Sequence, residues 1–409
     1  MTLRCTYHTN ANRFERGTEM THMEFSTLLQ APEHERIASG YDNTAREIAS
    51  QPELWPVVMT RTMESLATLA SVKERGPVLL SGAGSSHYVG LAIVPALRRT
   101  GYRAEAIPST EILTDPESTL PREPFTLVSF ARSGNSPEGN AVVKLAQKLR
   151  NGQANQLAIT CNPEGELGRL VRELPGNSGS VLQLPEKTND RSLAMTASYT
   201  SMVIAGMALA YTSRPDEYRA MVQGLSSAAQ TILPEASALA CSLGLTQYPR
   251  VFFLASRPMM GAALESALKV QELSAGHIVA KAEDTLGFRH GFMAALDPDS
   301  LVVFFMSSDP YRRRYEIDLL KEIRTKGLGR KLVAVSEEDS SLKNLCDELL
   351  VWPRWQCDDD RNVLAAMFGQ LLGFYSCLAM GLKPDNPSPQ GVISRVVQGV
   401  TIYPYMEHK

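Results

Sequence analysis

Two short segments of this chain carry glycines and hydroxyl groups in an order that suits an anion. Gly82-Ala83-Gly84-Ser85-Ser86 follows the apolar run Val78-Leu79-Leu80, and Ser133-Gly134-Asn135-Ser136-Pro137 follows the run from Thr126 to Phe130. Each reads as strand, turn, helix. Glycine lets backbone approach a ligand closely. Serines at a helix start add O–H donors to free amides and to the positive end of the helix dipole. Ser136 followed by Pro137 also reads as an N-cap and first helical residue. Helix capping explains either turn alone; two such turns after neighbouring strands favour a bound phosphate. Neither has a P-loop lysine or the G-x-G-x-x-G spacing, so nucleoside triphosphates and dinucleotides have little support.

A second group of residues could move protons. In Leu264-Glu265-Ser266-Ala267-Leu268-Lys269-Val270-Gln271-Glu272-Leu273, the residues Glu265, Lys269 and Glu272 fall at i, i+4 and i+7, on one helical face. Glu265 and Lys269 by themselves read as an ordinary helical ion pair, worth about 0.2–0.5 kcal/mol. Glu272 is different, because Leu268, Val270 and Leu273 surround it. Burial there would raise its pKa and fit it for proton transfer near neutrality. Further on, Gly287-Phe288-Arg289-His290-Gly291 follows an irregular stretch and places His290 on an exposed loop. Histidine is the usual neutral-pH proton carrier, although a hydrogen-bonded loop histidine accounts for it equally well.

These residues need a scaffold, and the chain spells one out twice. Strand-like runs begin at Val78, Thr126 and Gln156, and again at Val251, Leu301 and Lys331. The offsets are 126−78 = 48 against 301−251 = 50, and 156−126 = 30 against 331−301 = 30. Matched spacing over three elements predicts a duplicated α/β unit, with parallel strands covered by helices on both faces. The division expected is a polar extension (1–22), an N-terminal helical segment (23–75) punctuated by Pro32 and Pro52, a first unit (76–215), a polar helical connector (216–245), a second unit (246–382) and a C-terminal tail (383–409). Predicted helices cover 86–99, 137–150 and 361–380, with a further strand near 103–107. Ligands of parallel sheets lie beyond the carboxyl ends of the strands, where both serine turns fall. The second unit's equivalent turns, Ser256-Arg257-Pro258 and Ser307-Ser308-Asp309, lack the glycines. The first unit is therefore expected to hold the phosphate and the second to do acid–base work.

The 409 residues suit two domains, and 44% hydrophobic content is enough for real cores. A net charge of −3 argues against a nucleic-acid partner, and the run Tyr311-Arg312-Arg313-Arg314-Tyr315 reads as a solvated helix start. The six cysteines are scattered without a C-x-x-C, so neither zinc nor a redox pair is indicated; Cys161 and Cys377 read as buried free thiols. No stretch reaches about 18 apolar residues and no signal peptide is evident, so no membrane association is expected and a cytoplasmic location follows by elimination.

The segment Leu264–Lys281 with Phe288-Arg289-His290-Gly291 resembles the L-E-x-A-L-K-x-x-E…H…(K/R)-H-G pattern of sugar-isomerase (SIS) domain enzymes, which include the isomerase half of glucosamine-6-phosphate synthase. The two serine turns resemble that family's phosphate-binding turns. The tail from Asp385 to Pro404 and the segment Asn189–Met202 resemble the tagatose-6-phosphate ketose/aldose isomerase branch, also described as galactosamine-6-phosphate deaminase. The likeness covers about residues 40–405 and implies two tandem SIS-type three-layer sandwiches. It implies that Ser85, Ser86, Ser133 and Ser136 hold the phosphate and that Glu272 moves a proton between C1 and C2. His290 would assist ring opening, reaching into a neighbouring subunit's site, and Thr196 would contact the sugar. Lys269 and Arg395 complete the candidate substrate contacts. Ala131 and Arg132 depart from the synthase's serine and glutamine, and Arg132 could pair with phosphate directly. The synthase's tail lysine is missing, with Arg395 or Gln398 standing nearby.

About 75 residues precede the first unit, too few for a glutaminase domain, and Cys5 is not a credible amidotransferase nucleophile. The resemblance thus implies a hexosamine 6-phosphate deaminase/isomerase, giving tagatose 6-phosphate and ammonia from galactosamine 6-phosphate. A plain aldose–ketose isomerase and a non-catalytic sugar-phosphate sensor are the alternatives. Neither metal nor cofactor is called for, and a homodimer or dimer of dimers is expected.

Overall fold

The computed structural model describes residues 24–397 and 399–406. Ten strands form two sheets. In chain order they are β1 (Val78–Ser81), β2 (Ala104–Ala106), β3 (Phe125–Ala131), β4 (Ala154–Thr160), β5 (Gly179–Gln183), β6 (Arg250–Ala255), β7 (Val279–Asp284), β8 (Ser300–Phe305), β9 (Lys331–Ser336) and β10 (Glu348–Val351). The sheets are ordered β2-β1-β3-β4-β5 and β10-β9-β8-β6-β7, and every pairing is parallel. Reading the second from its other end gives the same topology, with β6, β7, β8, β9 and β10 in the places of β1 to β5. The duplication expected from the spacing is therefore a duplication of fold, and the architecture is that of two tandem SIS-type α/β sandwiches behind an N-terminal helical segment.

β7 was not foreseen. Its sequence, Val-Ala-Lys-Ala-Glu-Asp, lacks the apolar run of a central strand, and as an edge strand it leaves Val279 61% exposed. What precedes His290 is thus a strand and a short turn. Pro52 also behaves differently from the expectation: it lies with Pro56 inside the helix Asp42–Met63 instead of ending one. A helical proline strands the carbonyl four residues back. Here Gln51 Nε2 donates to the Ile48 carbonyl at 3.1 Å and Ser226 Oγ donates to the Pro52 carbonyl at 2.6 Å, so both freed acceptors are satisfied. The same helix lacks a side-chain cap from its own preceding residue. Asp385 of the tail supplies it from afar, accepting from the Asn43 and Thr44 amides at 3.1 and 2.7 Å.

The apolar core runs without a break from Val78, Val128 and Phe130 of the first sheet to Val251, Phe253 and Phe305 of the second. Among the described residues one helix, with its leading turn (358–379), is long and apolar enough to cross a membrane, contrary to expectation, but 89% of that window is buried inside the protein. It is the central core helix. Cys161 and Cys377 are buried and free, and burial pushes the Cys161 thiol up to about 12.

Where the two units meet, the helix Ser85–Arg99 crosses the helix Met260–Leu273. A Cβ on Gly261 would lie 2.5 Å from the Ala92 amide nitrogen, so only glycine permits this approach. From that crossing, Ser85 lies 92−85 = 7 residues back along one helix and Lys269 lies 269−261 = 8 residues forward along the other. Both distances are about two turns, so the antiparallel helices bring the two residues together. Gly261→Val is expected to cost about 1–3 kcal/mol of stability through overpacking and to separate Lys269 from Ser85. Urea unfolding and turnover should both show it; wild-type behaviour in both would remove the crossing from its controlling role.

Candidate functional site

Both serine turns open onto one cavity of about 670 Å³, whose wall also includes Lys269, Glu272 and the tail from Gly391 to Val397. The Gly84 backbone has φ 54° and ψ −127°, a conformation open to glycine and costly for other residues, and it starts the helix Ser85–Arg99. Gly134, at φ 67°, turns the chain toward the helix Pro137–Leu149. Two helix N-termini thus face the same space, where free amides and dipoles favour an anion. Ser85 and Ser86 are buried at the first of them. Ser136 sits at the second, but its hydroxyl donates to Glu138 Oε2 at 3.1 Å instead of capping the helix. Ser133 Oγ accepts from the Asn135 amide at 3.2 Å.

Opposite the turns lies a buried charge cluster. The Lys269 side chain is 1% exposed, and its Nζ donates to Glu272 Oε2 at 2.5 Å and to Ser85 Oγ at 3.0 Å. Glu265 Oε1 lies 3.4 Å from the same nitrogen. The Glu265–Lys269 pair is therefore not the solvated pair its spacing suggested. Glu265 is fully buried, and its oxygens lack a partner of good hydrogen-bond geometry among the described residues. Burial raises its pKa to about 7, with Lys269 opposing and Glu272 reinforcing. For Lys269 burial works downward, but the two carboxylates outweigh it and the ammonium is stabilised. Glu272 is 24% exposed at the cavity wall. Its setting is an ion pair, not the apolar pocket expected from its sequence neighbours.

The tail is clipped over the cavity by two arginines. Arg132 is buried and donates to the carbonyls of Ser192, Leu193 and Arg395 at 3.2, 3.0 and 2.7 Å. These contacts tie it to backbone, whereas the sequence suggested phosphate as its partner. Burial lowers its pKa from the usual guanidinium value, with Asp190 opposing. Arg395 donates to Asn189 Oδ1 at 2.7 Å and, through Nε, to the Asp190 carbonyl at 2.9 Å. Beneath them Asp190 accepts from the Thr196 and Ser198 amides at 2.7 and 2.9 Å, capping the helix Ala197–Met207. Glu47 accepts from the Arg191 amide at 2.6 Å, and burial, then Asp190, raises it to about 7.

The cavity thus brings together Ser85, Ser86, Arg132, Ser133, Ser136, Lys269, Glu272 and Arg395. Two sequence candidates stand apart. Thr196 is wholly buried, its amide spent on Asp190 and its carbonyl accepting from Gln370 Nε2 at 3.2 Å. His290 is exposed beside β7, outside this cavity. Gln398 and Cys5 lie outside the described residues. The sequence reading missed Ser81 and Ser109, which line the cavity with buried hydroxyls that have no partner among the described residues. A signal existed: Ser81 ends β1 and Ser109 follows β2, the carboxyl ends where ligands of parallel sheets lie.

A doubly repeated parallel sandwich with a hydroxyl-lined cavity at its strand ends is the arrangement of an SIS-domain protein, and the SIS domain signature matches residues 244–353. The chain belongs to this family and is an enzyme of its sugar-phosphate isomerase/deaminase class. It is 34% identical to the D-galactosamine-6-phosphate deaminase AgaS of Escherichia coli, over 88% of this chain and 96% of that one. A Streptomyces coelicolor relative bearing the same name provisionally is 39% identical over 88% of this chain and 95% of its own. Among solved structures, a Clostridium novyi protein provisionally assigned as a tagatose-6-phosphate ketose/aldose isomerase superposes with a TM-score of 0.87 at 32% identity. That match covers 92% of this chain and 99% of that one.

Lys269→Met leaves Glu265 and Glu272 without their cation, and breaking a buried pair costs about 3–5 kcal/mol. Glu265 is already raised to about 7 from 4.5 and rises further in the variant. A raised carboxyl contributes stability at pH below its unfolded value and loses it as pH climbs through the folded one. The variant's deficit should therefore be largest above neutrality and shrink toward pH 5, as measured by urea unfolding across pH. A deficit independent of pH would dissociate Lys269 from the carboxylates.

Proposed function

We propose that this enzyme converts a 2-amino-2-deoxyhexose 6-phosphate, galactosamine 6-phosphate in the first instance, to the ketose 6-phosphate with release of ammonia. The observation that carries this reading is the contact of Lys269 with both Ser85 and Glu272, which sets a carboxylate from the second unit near the serine turns of the first. The names of the relatives and the solved structure point to galacto- and tagato-configured substrates.

In this reading the 6-phosphate lies against the two helix N-termini, with the hydroxyls of Ser85, Ser86, Ser133 and Ser136 donating to its oxygens. Arg132 and Arg395 act chiefly by holding the tail over the substrate. In the open-chain sugar Glu272 takes the C2 proton, the electron pair moves into a C1–C2 double bond, and the aldehyde oxygen gains a proton. Returning the proton to C1 of this enolamine gives a ketimine at C2. Water adds to C2, and the nitrogen departs as ammonia, leaving the ketose. Lys269 keeps Glu272 oriented in a region where charge interactions are strong. His290 assists ring opening in the site of a neighbouring copy, which accounts for its place outside its own cavity.

Glu272→Gln should lower kcat by about 10²–10⁴, the usual worth of a positioned general base, with KM little changed because the phosphate grip is untouched. The assay is ammonium and ketose formation from a panel of hexosamine and hexose 6-phosphates. Turnover of a neutral hexose 6-phosphate with no ammonium from any amino sugar would replace this reading with the aldose–ketose isomerase. Undiminished turnover by the variant would remove Glu272 as the base.

A further inference from the structure

We propose that the second unit retains an oxyanion cradle at the carboxyl ends of β6 and β8, filled by the chain's own carboxylates Asp358 and Glu316. β6 and β8 occupy the places of β1 and β3, whose turns open onto the cavity. The turns after β6 and β8 instead close on protein. Glu316, from the helix Pro310–Thr325, accepts from Ser256 Oγ at 2.5 Å and from the Ser307 amide at 2.7 Å, so one carboxylate bridges both turns. Asp358 enters the same helix N-terminus from the far side of the unit. Its Oδ1 accepts from the Ser308 amide at 2.8 Å and from Arg361 Nη2 at 2.5 Å. Its Oδ2 accepts from the Ser307 hydroxyl and from Arg312 Nε and Nη2 at 3.2 and 3.0 Å.

This is more than a helix cap, because Asp309 already caps that helix, accepting from the Tyr311 and Arg312 amides. The donors also outnumber what a carboxylate can satisfy. Arg361 is 0% exposed, yet its Nε and Nη1 have no hydrogen-bond partner among the described residues, and neither does the buried Ser308 hydroxyl. A tetrahedral oxyanion has the acceptors such a set would meet. Burial works to raise the Asp358 pKa, but Arg361, Ser307, Ser308 and Arg312 outweigh it and hold the group below its ordinary value. An ionised carboxylate in a phosphate-type setting means that each chain takes one sugar phosphate rather than two. That count rests on the reading of the first unit's turns; the filled cradle does not.

The test is thermal unfolding of wild type, Asp358→Gly and Asp358→Asn in phosphate or acetate, each against chloride at matched ionic strength. Deleting the carboxylate opens the cradle, so either oxyanion should raise the Tm of Asp358→Gly saturably and by more than it raises wild type, as expected for a ligand of the folded state. Asp358→Asn keeps the space full and should show no such excess. An Asp358→Gly response equal to wild type in both anions, or an equal excess in Asp358→Asn, overturns the proposal. The wild-type response to phosphate belongs to the first unit, so its absence would count against that unit's phosphate site and leave the difference between variants intact. Should Asp358→Gly precipitate, soluble yield on refolding gives the same decision: a gain in acetate over chloride supports the cradle, and equal yields overturn it.

Discussion

The site depends on one buried ammonium. Lys269 lies at the seam between the units, holding Glu272 on one side and touching Ser85 on the other, with Glu265 behind it. Removing these charges from water costs several kcal/mol per ion, and the arrangement stands only because the three groups meet closely. That closeness comes from the Gly261–Ala92 crossing, which a side chain as small as alanine's would already obstruct. Backbone packing at one point therefore sets side-chain electrostatics two helical turns away.

The two units share a topology and treat their strand ends in opposite ways. In the first, glycines at positive φ and serines leave an open, donor-rich cavity. In the second, the corresponding ends are closed by Glu316 and Asp358. The second unit in turn contributes the helix that carries Lys269 and Glu272. Duplication supplied two sets of strand ends facing different neighbours, and the residues at each decide which stays open. The tail completes the open one. Asp385 fastens it to the N-terminal helix, and Arg132 and Arg395 fasten it to the loop around Asp190.

Much of this was legible from local pattern. Apolar runs with matched spacing gave the repeated strands, because a strand buried on both faces must be apolar throughout. The serine turns were legible because glycine and hydroxyl residues after an apolar run mark a strand-to-helix turn, and two of them follow neighbouring strands. The helix Asp42–Met63 was harder: Pro52 reads as a break, and only Gln51 and Ser226, the latter far away in sequence, make it tolerable. β7 was hidden because an edge strand need not be apolar. Arg132 was legible as a cavity residue but not as a clamp, since its carbonyl partners come from two distant segments.

The sequence by itself determined the class of fold, the repeat, the glycine- and serine-bearing turns and the helical face shared by Glu265, Lys269 and Glu272. These follow from periodicity and from the conformations that glycine, proline and serine allow within a few residues. Only the tertiary structure decided that Lys269 is buried and joined to Ser85, that Thr196 stands beneath the site and His290 beside another face, and that the second unit's cradle is filled. Those facts depend on contacts between residues far apart in the chain, where burial and the competition between desolvation and charge pairing set what each group does.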